Sequence, residues 1–276
     1  MPLDTSAYSL ALLRLDGRRW NELRRIHGQI STQAAADGSS YFEMGNTKVM
    51  CTISGPEEGR RGGAGGAAAG AEAQVQVDIN IAGFSGVDRK RRARNDKYAV
   101  GPRYSHVVLM YLMRCFAFRR TTEMQTVIAQ AFASNLFTHL YPHSTIYITL
   151  HILSQDGSLL AACINAATLA LIDAGIPMSD YISACTAGST ATYNANDENA
   201  DPLLDLNSLE EQELPFLTIA TVGATEDVSV LVMETRVQIQ RLESMMAVGV
   251  DGCKQVKRIL DQVVRSHGKN VLQKAL

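Results

Sequence analysis

Four carboxylates stand close together in the stretch LLDLNSLEEQELP, residues 203–215. They are Asp205, Glu210, Glu211 and Glu213, and they fall within nine positions at the end of an apolar run. Carboxylates that converge at the end of a strand can hold Mg²⁺ and position a nucleophile. They can equally form a solvated loop, which is the commoner fate of such runs. The residues alone favour the solvated loop.

A second candidate site lies in SQDGSLLAAC, residues 154–163, where a predicted strand ends and a predicted helix begins. Unpaired backbone N–H groups at a helix start carry partial positive charge, so the turn at Asp156, Gly157 and Ser158 can bind a phosphate. The alternative is a plain N-cap, in which Asp156 or Ser158 accepts hydrogen bonds from the first turn and no ligand is involved. On these residues alone the N-cap is the favoured interpretation.

A third candidate is the stretch DRKRRARNDK, residues 88–97, in which six of ten residues are basic. These are Arg89, Lys90, Arg91, Arg92, Arg94 and Lys97. Fixed positive charge on a polar stretch suits a nucleic-acid backbone, because each phosphate contact releases counterions. A solvated basic loop or a localisation signal is the alternative. Since the whole chain has a net charge of −2, any basic footprint must be local.

The composition is that of an ordinary soluble globular protein. The chain has 276 residues, of which 46% are hydrophobic and 20% charged, enough for one large domain or two small ones. No apolar run reaches the roughly 18 residues of a membrane span, and no secretory signal is recognisable. Five scattered cysteines without a CxxC pair predict reduced core thiols in a cytosolic or nuclear protein. The histidines lack ligand spacing, so no zinc site is expected.

Alternating and helical patterns predict the elements that position these candidates. Residues 17–55 indicate β structure with a hairpin at Gly45–Asn46, followed by a Gly/Ala-rich loop insertion over residues 56–74. Strands are predicted at 75–84, 144–153 and near 180–192, 202–206, 214–222 and 227–234. Helices are predicted near 104–118 and 122–140, at 158–177 and over about the last 35 residues.

The helix at 158–177 is apolar almost all round and should be buried, with Gly175 and Pro177 as its stop signals. The C-terminal helix has an apolar stripe at steps of three and four residues, which is typical of core packing. No Pro/Ser linker divides the chain. We therefore predict an α/β (α+β) protein whose residues 1–276 form a single domain of two similar β-then-α halves, with a long C-terminal helix.

Taken together, these stretches resemble the RNase PH family. The resemblance rests on LDGRRWNELR, FSGVDRKRRARNDK, SQDGSLLAACINAATLALIDAGIPM and LLDLNSLEE, and it covers most of the chain except the 56–74 insertion. Within the family, it is strongest to the RNase PH-like ring subunits of the eukaryotic RNA exosome core. It implies an RNase PH-like fold and a ring of six such subunits around a pore. Active relatives degrade RNA by phosphorolysis: inorganic phosphate attacks the 3′-terminal phosphodiester, and a nucleoside diphosphate leaves.

Several positions depart from the pattern that the resemblance implies for active relatives. Leu159 stands where an arginine follows Gly-Ser, and Glu211 replaces the second of two aspartates spaced six apart. Pro215 shortens the acidic loop, and the paired arginines expected before a helix align roughly with Asp96–Lys97. Losing two charge-assisted hydrogen bonds of roughly 1.5–3 kcal/mol each would weaken phosphate binding by about two to four orders of magnitude. The degenerate remnant comprises Gly157, Ser158, Leu159, Asp205 and Glu211, and we expect no catalytic residue, metal or cofactor.

The resemblance therefore implies a non-catalytic exosome ring subunit with a structural and RNA-guiding role in 3′-to-5′ RNA processing and degradation, including rRNA maturation, mRNA turnover and RNA surveillance. Expected partners are single-stranded RNA and a second RNase PH-like subunit, which forms a heterodimer with this chain within the six-membered ring. Cap subunits and an associated catalytic nuclease are also expected as partners, and no membrane is. Besides the basic run at 88–97, Arg60 and Arg61 are candidates to contact RNA at the pore entrance, or else lie in a solvated loop. The expected locations are the nucleus, nucleolus and cytoplasm.

Two other functions stay open on the sequence. One is an active phosphate-dependent 3′-to-5′ exoribonuclease whose phosphate site is completed by an arginine from a partner subunit. The other is a stand-alone small-molecule enzyme that uses the helix start at Asp156–Ser158, which predicts a monomer that ignores RNA.

Overall fold

A computed structural model of the chain describes residue 14 and residues 16–58, 73–86, 106–190, 202–233 and 235–275. The strands are β1 (Ile26–Ile30), β2 (Gly38–Met44), β3 (Thr47–Glu58), β4 (Gln74–Ile81), β5 (Ser144–Ser154), β6 (Ile182–Ser189), β7 (Pro202–Leu204), β8 (Phe216–Val222) and β9 (Val228–Met233). The helices are α1 (His106–Asn135), α2 (Leu159–Asp173), α3 (Ser208–Glu213) and α4 (Ile239–Ala275), with a 3₁₀ turn at Thr138–Leu140.

Two sheets account for these strands. The first has the order β1-β2-β3-β5-β4 and the second the order β7-β6-β8-β9. All neighbours are antiparallel except β4 and β5, which run parallel. Parallel strands need a crossover connection, and α1 lies in the connection between β4 and β5. Each sheet is followed by a helix, α2 after the first and α4 after the second, which confirms the predicted β-then-α halves.

Helix α2 lies at the centre of the core. It packs against β2 and β3 of the first sheet and against β6 of the second. Because both sides of the helix face a sheet, every residue from Leu160 to Leu171 is buried. This explains the all-round apolar pattern of the stretch and confirms the predicted buried helix. Helix α4 covers β6 and β8 of the second sheet and also reaches β1.

The hairpin prediction is confirmed, and two boundaries were predicted wrongly. Gly45 has a φ of 61° in the turn between β2 and β3. Strand β3 runs on to Glu58, where Glu57 and Glu58 pair with β5, so residues 56–58 are not loop. Most of the rest of the predicted insertion, residues 59–72, lies outside the described residues. The two helices predicted near 104–118 and 122–140 are the single helix α1, since residues 106–135 contain no glycine or proline to interrupt it.

Cysteines in the described core are buried. Cys51, Cys163, Cys185 and Cys253 are free of disulfides. Burial raises the pKa of the Cys163 and Cys253 thiols to about 12. Such thiols are protonated at neutral pH and pack as small apolar groups. None of the described helices combines the length and apolar character that crossing a bilayer requires.

Candidate functional site

Two turns that are far apart in sequence meet at the candidate site. One joins β5 to α2 and carries Gly157 and Ser158, and the other joins β7 to α3 and carries Asp205. Ser158 Oγ donates a hydrogen bond to Asp205 Oδ1 at 2.9 Å and lies 3.2 Å from the carbonyl oxygen of Leu206. The approach is so close that a Cβ on Gly157 would lie 2.5 Å from the Leu206 oxygen. The fold therefore brings the two sequence candidates together.

Ser158 does not cap the helix with its side chain. Its backbone is left-handed, with a φ of 52°, and its hydroxyl points to Asp205 instead of the first turn of α2. Asp156 is also used elsewhere, because its carboxylate accepts from Asn46 Nδ2 at 2.9 Å and from the Ser208 N–H at 3.4 Å. The predicted side-chain N-cap was therefore wrong. Both polar groups tie the helix start to neighbouring turns.

Asp205 is fully buried and held by an arginine. The backbone N–H and Nε of Arg24 donate to Asp205 Oδ2 at 2.9 and 3.0 Å, and an Nη of Arg24 donates to Oδ1 at 2.7 Å. The two side chains are 6% and 0% exposed. Burial acts to lower the pKa of Arg24, but the charge and hydrogen bonds of Asp205 outweigh it and raise that pKa overall. The Arg24 guanidinium therefore stays protonated although it is buried.

A second buried arginine pairs with Glu210. Arg14 Nε donates to Glu210 Oε1 at 2.9 Å, and the two side chains are 1% and 2% exposed. Arg14 also donates to the carbonyl oxygens of Leu204 and, at 3.0 Å, of Asp205. Glu210 in turn accepts from the Asn207 N–H at 3.0 Å. The Arg14–Glu210 pair therefore holds the backbone of the turn between β7 and α3 in place.

Glu211 lies against the start of α2. Its Oε1 accepts a hydrogen bond of 2.6 Å from the Ser158 N–H, the backbone group just ahead of that helix. Burial raises the pKa of Glu211, while the Ser158 hydrogen bond and the charges of Arg120 and Arg24 oppose the rise. The Glu211 carboxylate thus accepts the hydrogen bond of a backbone N–H group that, from the sequence, was a candidate to bind phosphate.

The prediction of a solvated acidic loop was wrong for most of the cluster. Asp205 and Glu210 are buried, Glu211 is partly buried, and Glu213 is exposed on the short helix α3. The physical reason is that arginines of the N-terminal segment neutralise the acids inside the protein. A divalent cation needs several oxygen ligands, but both oxygens of Asp205 already accept hydrogen bonds from Arg24 or Ser158. As arranged, Asp205 has no oxygen without a hydrogen bond to offer such an ion.

The N-terminal arginines are the functional residues that sequence reasoning missed. Arg24 is the last residue of LDGRRWNELR, a stretch that carried the family resemblance, and Arg14 directly precedes that stretch, but neither received a role. Arg18 belongs to the same group, because it donates to the Asp205 carbonyl oxygen at 3.1 Å and to Asn207 Oδ1 at 3.2 Å. The available signal was an arginine-rich segment near the start of the chain and an acid-rich segment at residues 203–215.

The remaining residues of interest are Leu159, Arg120 and the candidates for RNA binding. Leu159 is partly buried and packs against the hydrophobic core, so it supplies no cation to the site. Arg120, on α1, brings a positive charge near Glu211 and was not selected from the sequence. The RNA-binding candidates Arg60, Arg61, Arg89, Lys90, Arg91, Arg92, Arg94 and Lys97 lie outside the described residues, as does Asp96.

Comparison with solved structures defines the class of fold. The structure is similar to rice Rrp46, with a TM-score of 0.67 and 20% sequence identity. The match covers 90% of this chain and 98% of Rrp46. The structure is also similar to one described as an Archaeoglobus fulgidus exosome with RNA bound to the active site. That match has a TM-score of 0.64 and 16% identity, and it covers 92% of this chain and 95% of the other. The fold is thus RNase PH-like.

Sequence comparison then gives the family. The model described as RNase_PH, the 3′ exoribonuclease family, domain 1, matches residues 22–177. The exosome complex component SKI6 of Saccharomyces cerevisiae is 37% identical over 269 residues, covering 97% of this chain and 96% of the relative. The human exosome complex component RRP41 is 36% identical over 255 residues, with coverage of 92% and 91%. The chain belongs to the RNase PH family.

Proposed function

We propose that this chain is a core ring subunit of an RNA exosome, with a structural and RNA-guiding role in 3′-to-5′ RNA processing and degradation. The support is that relatives named exosome complex components match it over nearly its whole length. The fold is also similar to that of an archaeal exosome core, with a TM-score of 0.66. Its partners in this proposal are other RNase PH-like subunits, cap subunits, an associated catalytic nuclease and single-stranded RNA. It would act in the nucleus, nucleolus and cytoplasm.

In this proposal the chain does not catalyse phosphorolysis. The observation that carries this part is the engagement of Asp205, whose oxygens accept hydrogen bonds from Arg24 and Ser158 at full burial. A carboxylate that is neutralised inside the protein is not available to hold a cation or to exchange a proton with substrate. A substrate would first have to break the buried pair, which costs several kcal/mol.

The helix start also lacks what an incoming phosphate requires. Phosphate attack on an RNA phosphodiester brings two anions together, so cations and backbone donors must offset their repulsion. Here the Ser158 N–H is occupied by Glu211, which adds a negative charge, and Leu159 is apolar. Both features oppose the binding of a second anion at this place. The chain therefore retains the fold and the acids of a phosphorolytic site without its electrostatics.

One observation favours a second candidate, an active enzyme completed by a partner. Arg120 acts on Glu211 with a positive charge, so the site is not without cations. An additional arginine from a neighbouring subunit could raise the local positive charge enough to hold phosphate. This candidate requires Glu211 to leave the Ser158 N–H when phosphate arrives, because both groups need the same donor.

Product analysis of the reconstituted complex separates these functions. The purified ring is incubated with 3′-labelled RNA, with and without inorganic phosphate, and the released nucleotides are resolved. Nucleoside diphosphates require phosphate attack, whereas monophosphates report hydrolysis by an associated nuclease. We expect no phosphate-dependent diphosphate. Diphosphate release that disappears with Asp205→Asn, in a ring shown to be fully assembled, would establish the active enzyme instead.

The RNA contacts in this proposal come from the basic run at 88–97 and from Arg60 and Arg61, with Arg120 as a further candidate. Phosphate contacts of this kind carry little base preference, which suits a subunit that guides many RNAs. Binding of the assembled ring to single-stranded RNA should then weaken steeply with rising salt concentration.

A further inference from the structure

The described sheets have four edge strands, and three of them carry features that discourage pairing with another chain. β1 is five residues long and contains Gly28, and β7 has three residues and begins with Pro202. β4 places exposed polar residues, among them Asp78, at alternate positions. Short length, proline and charge are the devices with which proteins protect sheet edges. These three strands are therefore poor sites for an added strand.

β9 has neither charge nor proline and is longer than β1 and β7, and its pairing with β8 has one register shift, at Ala220–Thr221. Its sequence is VSVLVM, six residues with Ser229 as the one polar side chain. It is the terminal strand of the second sheet within the part of the chain that the structure describes. Val228, Leu231 and Met233 are 38%, 47% and 39% exposed. An uncharged apolar strand at a sheet edge is a template for pairing with another strand.

Both faces of β9 are apolar. Leu231 lies opposite Ile219 and Met233 opposite Leu217 on β8, and opposite residues of an antiparallel pair share a face. Helix α4 covers that face at β8, where Gly249 packs against Ile219, but Leu231 and Met233 stay exposed. The covering helix thus stops one strand short of the edge.

The other face of β9 borders a groove. Strand residues 229–232, with Val230 and Val232 on this face, form one wall, and Val127, Gln130, Ala131 and Ser134 of α1 form the other, around a volume of about 240 Å³. This is below the roughly 300–1,000 Å³ of a typical small-molecule pocket, so it fits inserted side chains better than a ligand. None of the lining residues is charged. The groove therefore matches neither RNA nor a charged peptide.

We infer that β9 is a subunit interface, at which an uncharged apolar edge strand of a neighbouring RNase PH-like subunit pairs with β9 and fills the groove beside α1. This inference rests on the proposed function, which supplies the class of partner. A paired strand satisfies the outward backbone groups of β9, and its side chains cover Leu231 and Met233. Because neither β9 nor the lining of the groove carries a charge, an uncharged strand can be buried there without leaving an unpaired charge.

Substitution of the exposed edge tests this interface. The chain is co-expressed pairwise with each RNase PH-like exosome subunit of its own organism, and complexes are measured by native mass spectrometry. The test variant is Leu231→Lys/Met233→Lys, because lysine is well tolerated at free edges but not when buried in a neutral interface. The control is Leu272→Lys, a more exposed apolar position (66%) near the end of α4. Circular dichroism checks that each variant folds.

We expect the double variant to weaken pairing at least about tenfold and the control to pair as the unaltered chain does. Amide hydrogen exchange of the unaltered chain gives an independent measurement that needs no variant: exchange over Val228–Met233 should slow on assembly. Unchanged exchange there, or normal pairing of a folded double variant, overturns the interface while the proposed function stands. Pairing of the chain with itself through β9 overturns the choice of partner. An unaltered chain that joins no ring refutes the proposed function itself.

Discussion

Breaking the Arg24–Asp205 pair tests whether Asp205 is a structural residue. In the purified chain, Asp205→Asn preserves the shape of the side chain but removes its charge. Asparagine also tolerates the φ of 53° at this position. Arg24 then remains buried at 6% side-chain exposure without its counter-ion. Removing one partner of a buried pair costs about 3–5 kcal/mol, which corresponds to a loss of roughly 6–20 °C in Tm for a chain of this size.

A double-mutant cycle then isolates the interaction. Arg24→Met should be similarly destabilising because it leaves Asp205 as a buried unpaired carboxylate. The variant with both changes has no buried charge at this pair, so its loss should fall short of the sum of the single losses by at least about 1 kcal/mol. Free energies of unfolding come from urea titrations of all four proteins.

An exposed ion pair provides the matched control. Arg265 pairs with Asp261 one helical turn away, with side-chain exposures of 74% and 39%. Arg265→Ala should change the free energy of unfolding by no more than about 0.5 kcal/mol. If Asp205→Asn proves as mild as this control, then Asp205 does not support the fold, and the argument that it is unavailable for chemistry fails with it.

Two further predictions concern the same site. Gly157→Ala should destabilise the chain more than Gly175→Ala, because both glycines have positive φ but only Gly157 has backbone within 3 Å of the added Cβ. Left-handed alanine costs about 1–2 kcal/mol, so equal losses in urea titrations would contradict the close approach. Because burial raises the pKa of Glu211 above 4.5, folded protein retains a proton that unfolded protein releases as pH rises from that value. As the pH rises from 4.5 to the raised pKa of Glu211, the free energy of unfolding of the unaltered chain should therefore fall relative to that of Glu211→Gln. Parallel pH profiles of the two proteins would refute this.

Much of the fold follows from the sequence because its patterns are local. The buried helix α2 was predictable from an unbroken apolar run, and the β2–β3 hairpin from alternation around Gly45–Asn46. The division of α1 into two helices was wrong, since residues 106–135 contain no glycine or proline that would end a helix. Element type was thus more predictable than element boundaries.

The interior of the site was not predictable in the same way. Arg14 and Glu210 are 196 positions apart, and Arg24 and Asp205 are 181 apart. No periodicity links such pairs, so the acids looked like a solvated loop until the fold placed arginines beside them. The departures at Leu159 and Glu211 were visible from the resemblance, but the hydrogen bond from the Ser158 N–H to Glu211 depends on tertiary structure.

The pairing of Asp205 with Arg24 bears on how acids in a catalytic motif come to be retained. A side chain that the interior needs as a counter-ion is retained by the demands of folding, whether or not any reaction continues. Its persistence in a motif therefore says little about turnover. The positions that report whether a reaction continues are solvent-facing ones, which folding leaves free to change.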